Sequence, residues 1–197
     1  MSFRKEFKFR VSYSDLILIK KKLLYDKMSV LHPARKVNSL YFDTKNLKMF
    51  TESEEGTLPR KKVRLRWYNK SETQNLEEKV SSLEGRFKKV KNVDISFEKS
   101  DELSFLDSDY GKITPSLLIT YNRNYYSYKN LRITFDQEIE YQRIRGITPL
   151  SKKEKECVVE IKAPKDVSAD YVSSIFHNPT ERFSKYARGI ISLYKLF

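Results

Sequence analysis

The sequence predicts an α+β fold in which antiparallel strands form a closed barrel, a tunnel with a charged lumen, and helices pack outside it. Several segments alternate apolar and charged residues with the period of two that is typical of β-strands. Their polar faces carry arginine, lysine and glutamate, repeatedly as Glu-x-Lys, whereas an ordinary solvated face would vary among neutral polar residues. A barrel whose charged faces point inward and whose apolar faces lie under helices explains both observations.

The N-terminal part of the chain alternates between strand and helix patterns. Ser14 is a suitable N-cap for a helix with a stripe of leucines, and Pro33 indicates a loop. We therefore predict a strand over residues 3–11, a helix over 14–28, a loop over 31–37, a strand over 37–43 and a short helix over 44–51.

The central strand is predicted over residues 60–68. Val63, Leu65 and Trp67 fall on one face, and three cations fall on the other, namely Lys62, Arg64 and Arg66. Adjacent cations repel one another, so this face is either solvated or in contact with an anion. Taken alone, the solvated outer face is the simpler interpretation.

The C-terminal part continues with strands and closes with helices. The triplet at 83–85 is typical of a hairpin turn, and Pro164 cannot continue a central strand. We predict strands over 76–80, 86–90, 115–128, 131–136 and 157–162, a helix or loop over 100–109, and helices over 167–176 and 186–197.

Composition restricts the partner and the compartment. The 197 residues fit a single domain, and the net charge of +13 predicts an anionic partner. With a single cysteine, Cys157, no intramolecular disulfide can form, and two histidines form no zinc-type cluster. We expect no membrane segment of its own and a cytoplasmic location, and no nucleic-acid-binding motif is present.

Short motifs of charged and aromatic residues recur in order along nearly the whole chain. They are R-x-E-x-K at Arg4–Lys8, SLYFDT at 39–44, KVRLRWY at 62–68, LEEK at 76–79, YNR at 121–123, RITFD at 132–136, VEIK at 159–162 and FSKY at 183–186. Together they resemble the triphosphate tunnel metalloenzymes, and more closely the VTC-type polyphosphate polymerase domain. The first acid of the Glu-x-Glu-x-Lys motif of the broader superfamily is replaced here by Arg4, which favours the polymerase type.

The resemblance implies a single domain over residues 1–197 that transfers the γ-phosphate of ATP to polyphosphate with Mn²⁺ or Mg²⁺ and releases ADP. It places Lys185, Arg64, Arg66 and Ser184 at the reaction. It assigns phosphate binding to Lys8, Arg4, Lys62, Lys79, Lys88, Arg123, Arg132 and Lys162. The metal-ligand candidates are Glu160, Glu6 and Glu77.

Other interpretations stay open at this point. The same tunnel could hydrolyse inorganic triphosphate or nucleotides, or it could bind polyphosphate or nucleotide without catalysis. The Glu6/Lys8 and Glu77/Lys79 pairs could be plain cross-strand ion pairs, and Lys185 could be a surface lysine. Asp136 could cap a turn. The oligomeric state is not predicted.

Overall fold

The structure is a computed structural model that describes residues 5–71, 73–95, 103–146, 148, 150–176 and 180–194. It is an α+β fold of mostly antiparallel strands with four helices among the described residues. The helices are α1 (Tyr13–Tyr25), α2 (Lys48–Glu55), α3 (Ala169–Phe176) and α4 (Lys185–Leu193). The strands are β1 (Lys5–Val11), β2 (Ser29–Asp43), β3 (Arg60–Tyr68), β4 (Gln74–Ser82), β5 (Gly85–Val93), β6 (Phe105–Asp107), β7 (Gly111–Tyr128), β8 (Leu131–Arg143), β9 (Leu150–Lys153) and β10 (Cys157–Ala163).

The observed strand order differs from the closed barrel that the sequence predicts. Hydrogen-bonded neighbours follow the order β1-β10-β8-β7-β2-β3-β4-β5, with β6 beside β7 and β9 beside β8. This path has two ends, and within the described part of the chain β1 does not pair with β5. The sheet is not closed into a barrel, so the closed barrel is not confirmed, whereas the α+β class and the antiparallel pairing are.

The chain divides into two compact units. Unit 1 comprises Met1–Lys36, Tyr121–Ile139 and Glu154–Phe183, and unit 2 comprises Val37–Thr120, Glu140–Lys153 and Ser184–Phe197. Strands β2, β7 and β8 each contribute residues to both units. The single domain predicted over residues 1–197 stays a prediction.

The core of unit 1 is formed by the apolar faces of its strands and by two helices. Phe9 of β1, Phe135 of β8 and Val159 of β10 are fully buried, and Leu23 of α1 and Phe176 of α3 pack in the same cluster. Phe9 and Phe176 stack with ring centroids 5.2 Å apart. The apolar half of each predicted alternation is therefore the half that is buried.

The core of unit 2 lies beneath strand β3. Val63 and Leu65 are buried together with Leu40, Phe42 and Met49. Helix α2 begins without a side-chain cap at Leu47, and Asp43 replaces that cap by accepting hydrogen bonds from the backbone N–H groups of Met49 and Phe50, each at 2.9 Å. The predicted strand over 60–68 and the hairpin of β4 and β5 are confirmed.

Three local predictions were wrong. The N-cap of α1 is Ser12, whose hydroxyl accepts from the Asp15 N–H at 3.1 Å, and not Ser14. Pro33 lies within β2, before the β3 pairing that starts at Val37, so its missing N–H removes no bond from that ladder. The predicted helix or loop over 100–109 contains β6, although residues 100–102 lie outside the described range.

One arginine that the sequence patterns did not single out joins two segments of unit 2. The guanidinium of Arg145 donates to the carbonyl oxygens of Asp43 at 2.5 Å, Thr44 at 2.7 Å, Thr114 at 2.8 Å and Pro115 at 2.9 Å. It therefore ties the end of β2 to β7.

Replacing Arg145 by alanine is expected to lower the free energy of unfolding by about 3 kcal/mol, because these carbonyl groups would lose their donors. Urea denaturation followed by the fluorescence of the single tryptophan, Trp67, measures this change. Lys152→Ala, at an exposed position of β9, is the control and should leave the midpoint unchanged. Equal midpoints for the two variants would contradict the structural role.

Among the described residues, no helix is long and apolar enough to cross a membrane.

Candidate functional site

The charged face of β3 continues across β4 and β5 in unit 2. Cross-strand partners point to the same face of a sheet, so the register arranges these side chains in rows. Lys62, Lys79 and Lys88 lie opposite one another on β3, β4 and β5, and we call them the lysine row. Like charges directly opposite one another are destabilising unless an anion offsets them. Glu77 offsets the charge of Lys88, and the row as a whole is a basic strip across three strands that suits contact with a polyanion better than a solvated outer face.

The next row on this face contains Tyr41, Arg64, Glu77 and Val90. Its Glu77 is the centre of a salt-bridge network. The Nε and Nη2 atoms of Arg64 donate to Oε2 of Glu77 at 2.7 and 2.6 Å, and Lys88 donates to Oε1 at 2.7 Å. Burial raises the pKa of Glu77, but the charges of Arg64 and Arg66 and the hydrogen bond from Lys88 outweigh burial and lower this pKa to about 2. Glu77 is therefore an anion that holds Arg64 in place.

Tyr41 belongs to this network, although its position within the SLYFDT motif did not mark it as a site residue. Nη1 of Arg64 donates to the Tyr41 hydroxyl at 2.7 Å, and the Tyr41 ring stacks on Tyr186 with centroids 4.7 Å apart. Burial raises the pKa of the Tyr41 phenol, yet the charges of Arg64, Arg66 and Lys62 outweigh burial and lower this pKa to about 7. This lowered pKa reports a strongly positive local field.

A third row on the same face is mostly neutral. It contains Ser39, Arg66, Asn75 and Asn92, and we call it the amide row. Nε of Arg66 donates to Oγ of Ser39 at 3.1 Å, and Nη1 lies 3.8 Å from Oε2 of Glu77. The polar face of unit 2 therefore changes along the strands from lysines, through an ion-paired row, to amides.

The start of α4 lies at the lysine end of this face. Ser184 is the N-cap of α4, and its hydroxyl accepts from the Ala187 N–H at 3.3 Å and from Nζ of Lys62 at 3.2 Å. Lys185 is the first residue of the helix. The structure thus brings together Ser184 and Lys62, two residues that were predicted for phosphate chemistry from motifs far apart in the chain.

Unit 1 carries a second charged face, on strands β1, β10 and β8. The register places Glu6, Lys162 and Arg132 in one row and Lys8, Glu160 and Thr134 in the next. Acids and bases are mixed on this face, with Lys8 Nζ 3.1 Å from Glu6 and Lys162 Nζ 3.5 Å from Glu160. All the predicted site residues of this unit that the structure describes therefore lie on this charged face, and Arg123 reaches it from the neighbouring strand β7.

Arg123 and its carboxylate partners are the most tightly bound part of this face. Its guanidinium donates to both oxygens of Asp136 at 2.5 and 2.6 Å and lies 3.6 Å from Glu160. Burial lowers the pKa of Arg123, but the charge and hydrogen bonds of Asp136, together with the charges of Tyr121 and Glu160, outweigh burial and raise this pKa well above its ordinary value. Asp136 therefore acts as the partner of an arginine, a role different from the turn cap that the sequence left open.

The other predicted phosphate-binding residues of this face differ in the contacts that their cationic groups make. Nε of Arg132 is buried and lacks a hydrogen-bond partner in the described part of the chain, and its guanidinium lies 5.9 Å from the Tyr125 ring centroid. Nζ of Lys8 donates to the carbonyl of Phe183 at 3.2 Å. Arg4 lies outside the described residues.

The carboxylates of the two faces differ in how well they suit a divalent cation. Within the described ranges, no group of three or more His, Cys, Asp or Glu side chains is close enough to hold a metal. Glu77 has short hydrogen bonds from Arg64 and Lys88, whereas the ion pairs of Glu160 are longer, at 3.5 and 3.6 Å. Glu160 therefore fits a cation that takes most of its ligands from phosphate and water, as Mg²⁺ commonly does.

Comparison with known proteins identifies the family and the fold. The model of the VTC domain family matches residues 3–106 and 96–194. An adenylate cyclase candidate from Bacillus halodurans is similar in structure over 98% of each chain, with 11% identity and a TM-score of 0.63. The PH1012 protein from Pyrococcus horikoshii OT3 covers 94% of this chain and 99% of its own, with 13% identity and a TM-score of 0.58.

A third similar structure carries a stated activity. HpAC1 from Hippeastrum, an adenylyl cyclase candidate described as revealing a dominant triphosphatase activity, covers 98% of this chain and 99% of its own, with 16% identity and a TM-score of 0.56. At these identities the likeness establishes the fold alone. No curated protein matches this chain at a significant level.

Proposed function

Because this chain belongs to the VTC domain family, we propose that it is an ATP-dependent polyphosphate polymerase. The observation that carries the proposal is the lysine row, with Lys62 in contact with Ser184. Three lysines in one row across β3, β4 and β5, with Arg64 and Arg66 nearby, suit a chain of phosphates better than a single small anion. The substrates of this proposal are ATP and polyphosphate.

In the proposed reaction, a terminal oxygen of polyphosphate forms a bond to the γ-phosphorus of ATP. The bond from that phosphorus to the bridging β–γ oxygen breaks, and its electron pair leaves with ADP. Phosphoryl transfer needs positioning and stabilisation of charge on the transferred oxygens more than covalent help. Arg64 supplies a guanidinium that Glu77 and Tyr41 hold in place, and Lys62 with Ser184 would bind the transferred group.

The charged face of unit 1 has proposed roles of its own. Lys8, Arg123, Arg132 and Lys162 would bind phosphates, and Glu160 would hold Mn²⁺ or Mg²⁺, with Glu6 as a further candidate. The cation, when bound, would neutralise charge on phosphate oxygens. Glu77 as a metal ligand stays a prediction, and it requires that a cation displace Arg64 or Lys88 from the carboxylate.

A triphosphatase is the second candidate, and the activity stated for HpAC1 favours it. Water would then replace polyphosphate as the acceptor, and the cationic rows would serve both reactions equally well. A non-catalytic binding module is a weaker candidate, because binding of an anion does not require the carboxylate of Glu160 on a basic face.

Incubation of the protein with ATP and Mn²⁺ or Mg²⁺, followed by phosphorus NMR, tests the proposal. We expect ADP and the resonances of internal chain phosphates from the wild type, and at least about a hundredfold less of both from Lys185→Ala if Lys185 stabilises the transferred charge. Lys21→Ala, on the exposed surface of α1, is the matched control and should retain full activity.

Other products would change the assignment. Orthophosphate without chain phosphates would replace the polymerase by a triphosphatase. Bound and unreacted ATP in all three proteins would support the binding module. Equal activity of Lys185→Ala and the control would make Lys185 a surface residue.

A further inference from the structure

The neutral end of the charged face in unit 2 is not explained by phosphate binding. Asn75 of β4 is half-buried and Asn92 of β5 is exposed, and the two residues are cross-strand partners beside Arg66. Within the described part of the chain, neither carboxamide has a hydrogen-bond partner. Each carboxamide offers both donors and an acceptor, so this accessible pair suits a ligand that itself has both donors and acceptors.

The two ends of the face differ in the chemistry that they can recognise. The lysine row offers positive charge and donors only, which suits phosphate oxygens. The amide row offers neutral donors and acceptors around one guanidinium, which suits the hydroxyl groups of a ribose or the edge of a base. Arg66 of the amide row and Lys62 of the lysine row are four residues apart on β3, a distance of about 13 Å along the strand.

The position of Ser184 sets the direction of the ligand. Ser184 contacts Lys62 at 3.2 Å and so lies at the lysine end, where the transferred phosphate is proposed to bind. The rest of the nucleotide then extends along β3, past Arg64, towards Arg66 and the amides. This direction places the uncharged part of ATP against the mostly neutral row of the three.

We propose that the amide row is a nucleoside subsite, in which Asn75 and Asn92 bind the sugar or base of ATP while Arg66 binds the phosphate next to it. The proposal rests on the proposed function of this face and adds what that function lacks, a means to distinguish a nucleotide from inorganic triphosphate. Asn75 and Asn92 are then specificity residues that contact substrate but take no part in the transfer.

Binding measurements with two ligands test the subsite. Calorimetric titrations in EDTA, which prevents turnover, give the affinities for ATP and for inorganic triphosphate. For the variant Asn75→Ala/Asn92→Ala, we expect the ATP affinity to fall about tenfold or more and the triphosphate affinity to stay within about twofold. Retained triphosphate binding also shows that the double variant is folded.

Two further variants serve as references. Asn46→Ala removes an exposed amide from the turn before α2, outside all three rows, and should change neither affinity. Lys79→Ala, in the lysine row, should lower the affinities for ATP and for triphosphate by similar factors.

The outcomes separate this inference from the proposed function. Equal losses of ATP and triphosphate affinity in the double variant would overturn the subsite, because the amides would then contact phosphates. Unchanged affinities would also overturn it, because they would show that the amides do not contact either ligand. A selective loss of ATP binding, in a protein that makes no polyphosphate, would retain the subsite and overturn the polymerase. If the wild type binds neither ligand, both proposals fail.

Discussion

Replacement of Arg64 by alanine is expected to lower kcat/KM for ATP about a thousandfold, the scale of effect seen when an arginine that stabilises a transferring phosphoryl group is lost. Glu77 holds two nitrogens of the Arg64 guanidinium and the Tyr41 hydroxyl accepts from the third, so this cation is fixed before substrate arrives. A fixed cation stabilises developing charge without a cost of reorganisation during the reaction. ADP formation at several ATP concentrations, with Mn²⁺ present, measures the change.

Two variants show whether the effect depends on the guanidinium. Arg64→Lys keeps the charge but cannot make the forked contact with Glu77, so its activity should lie between those of the wild type and the alanine variant. Lys89→Ala removes a cation from the opposite face of β5, where Lys89 lies opposite Glu78, and should keep activity within about threefold of the wild type. Equal activity of Arg64→Ala and Lys89→Ala would show that the face of β3 does not bind the reacting phosphates.

The face of β3 shows what a single sequence can predict. Alternation alone separated Lys62, Arg64 and Arg66 from the buried Val63 and Leu65, because side chains of a strand point to opposite faces in turn. The turn signal at residues 83–85 predicted the hairpin of β4 and β5. The rows across these strands could not be predicted in the same way, since they depend on the register, which hydrogen bonding between distant segments decides.

The predictions that were wrong depend on long-range structure. Pro33 indicates a loop by local rules, but it lies in β2 before the pairing with β3 begins at Val37, where its missing N–H costs that ladder no bond. Closure of a barrel depends on a pairing between its first and last strands, which no local pattern encodes. Arg145 was missed because its partners are backbone carbonyls of segments about 30 and 100 residues away. Every residue has such a carbonyl, so the sequence does not indicate which of them accepts a hydrogen bond.

Reversal of the charge at Glu160 is the second prediction with a large effect. In the Glu160→Lys variant we expect ATP turnover with Mn²⁺ or Mg²⁺ to fall at least about a thousandfold, because the carboxylate proposed to hold the cation is replaced by a like charge. Binding of polyphosphate in EDTA should be retained or become tighter, because the face gains positive charge beside Arg123, Lys162 and Lys8. If Glu160 is a metal ligand, the reversal of its charge should lower turnover without weakening the binding of polyphosphate, and the experiment measures both.

Glu54→Lys makes the same change of charge at an exposed position of α2, and it separates the role of Glu160 from the effect of net charge. It should leave turnover unchanged and alter polyphosphate binding only slightly, since distant exposed charges are screened by salt. If Glu160→Lys keeps its turnover, the cation is held elsewhere. If it loses polyphosphate binding as well as turnover, Glu160 serves the structure of unit 1 through its contact with Arg123, because a carboxylate that only held a metal would leave metal-free binding of the anion intact.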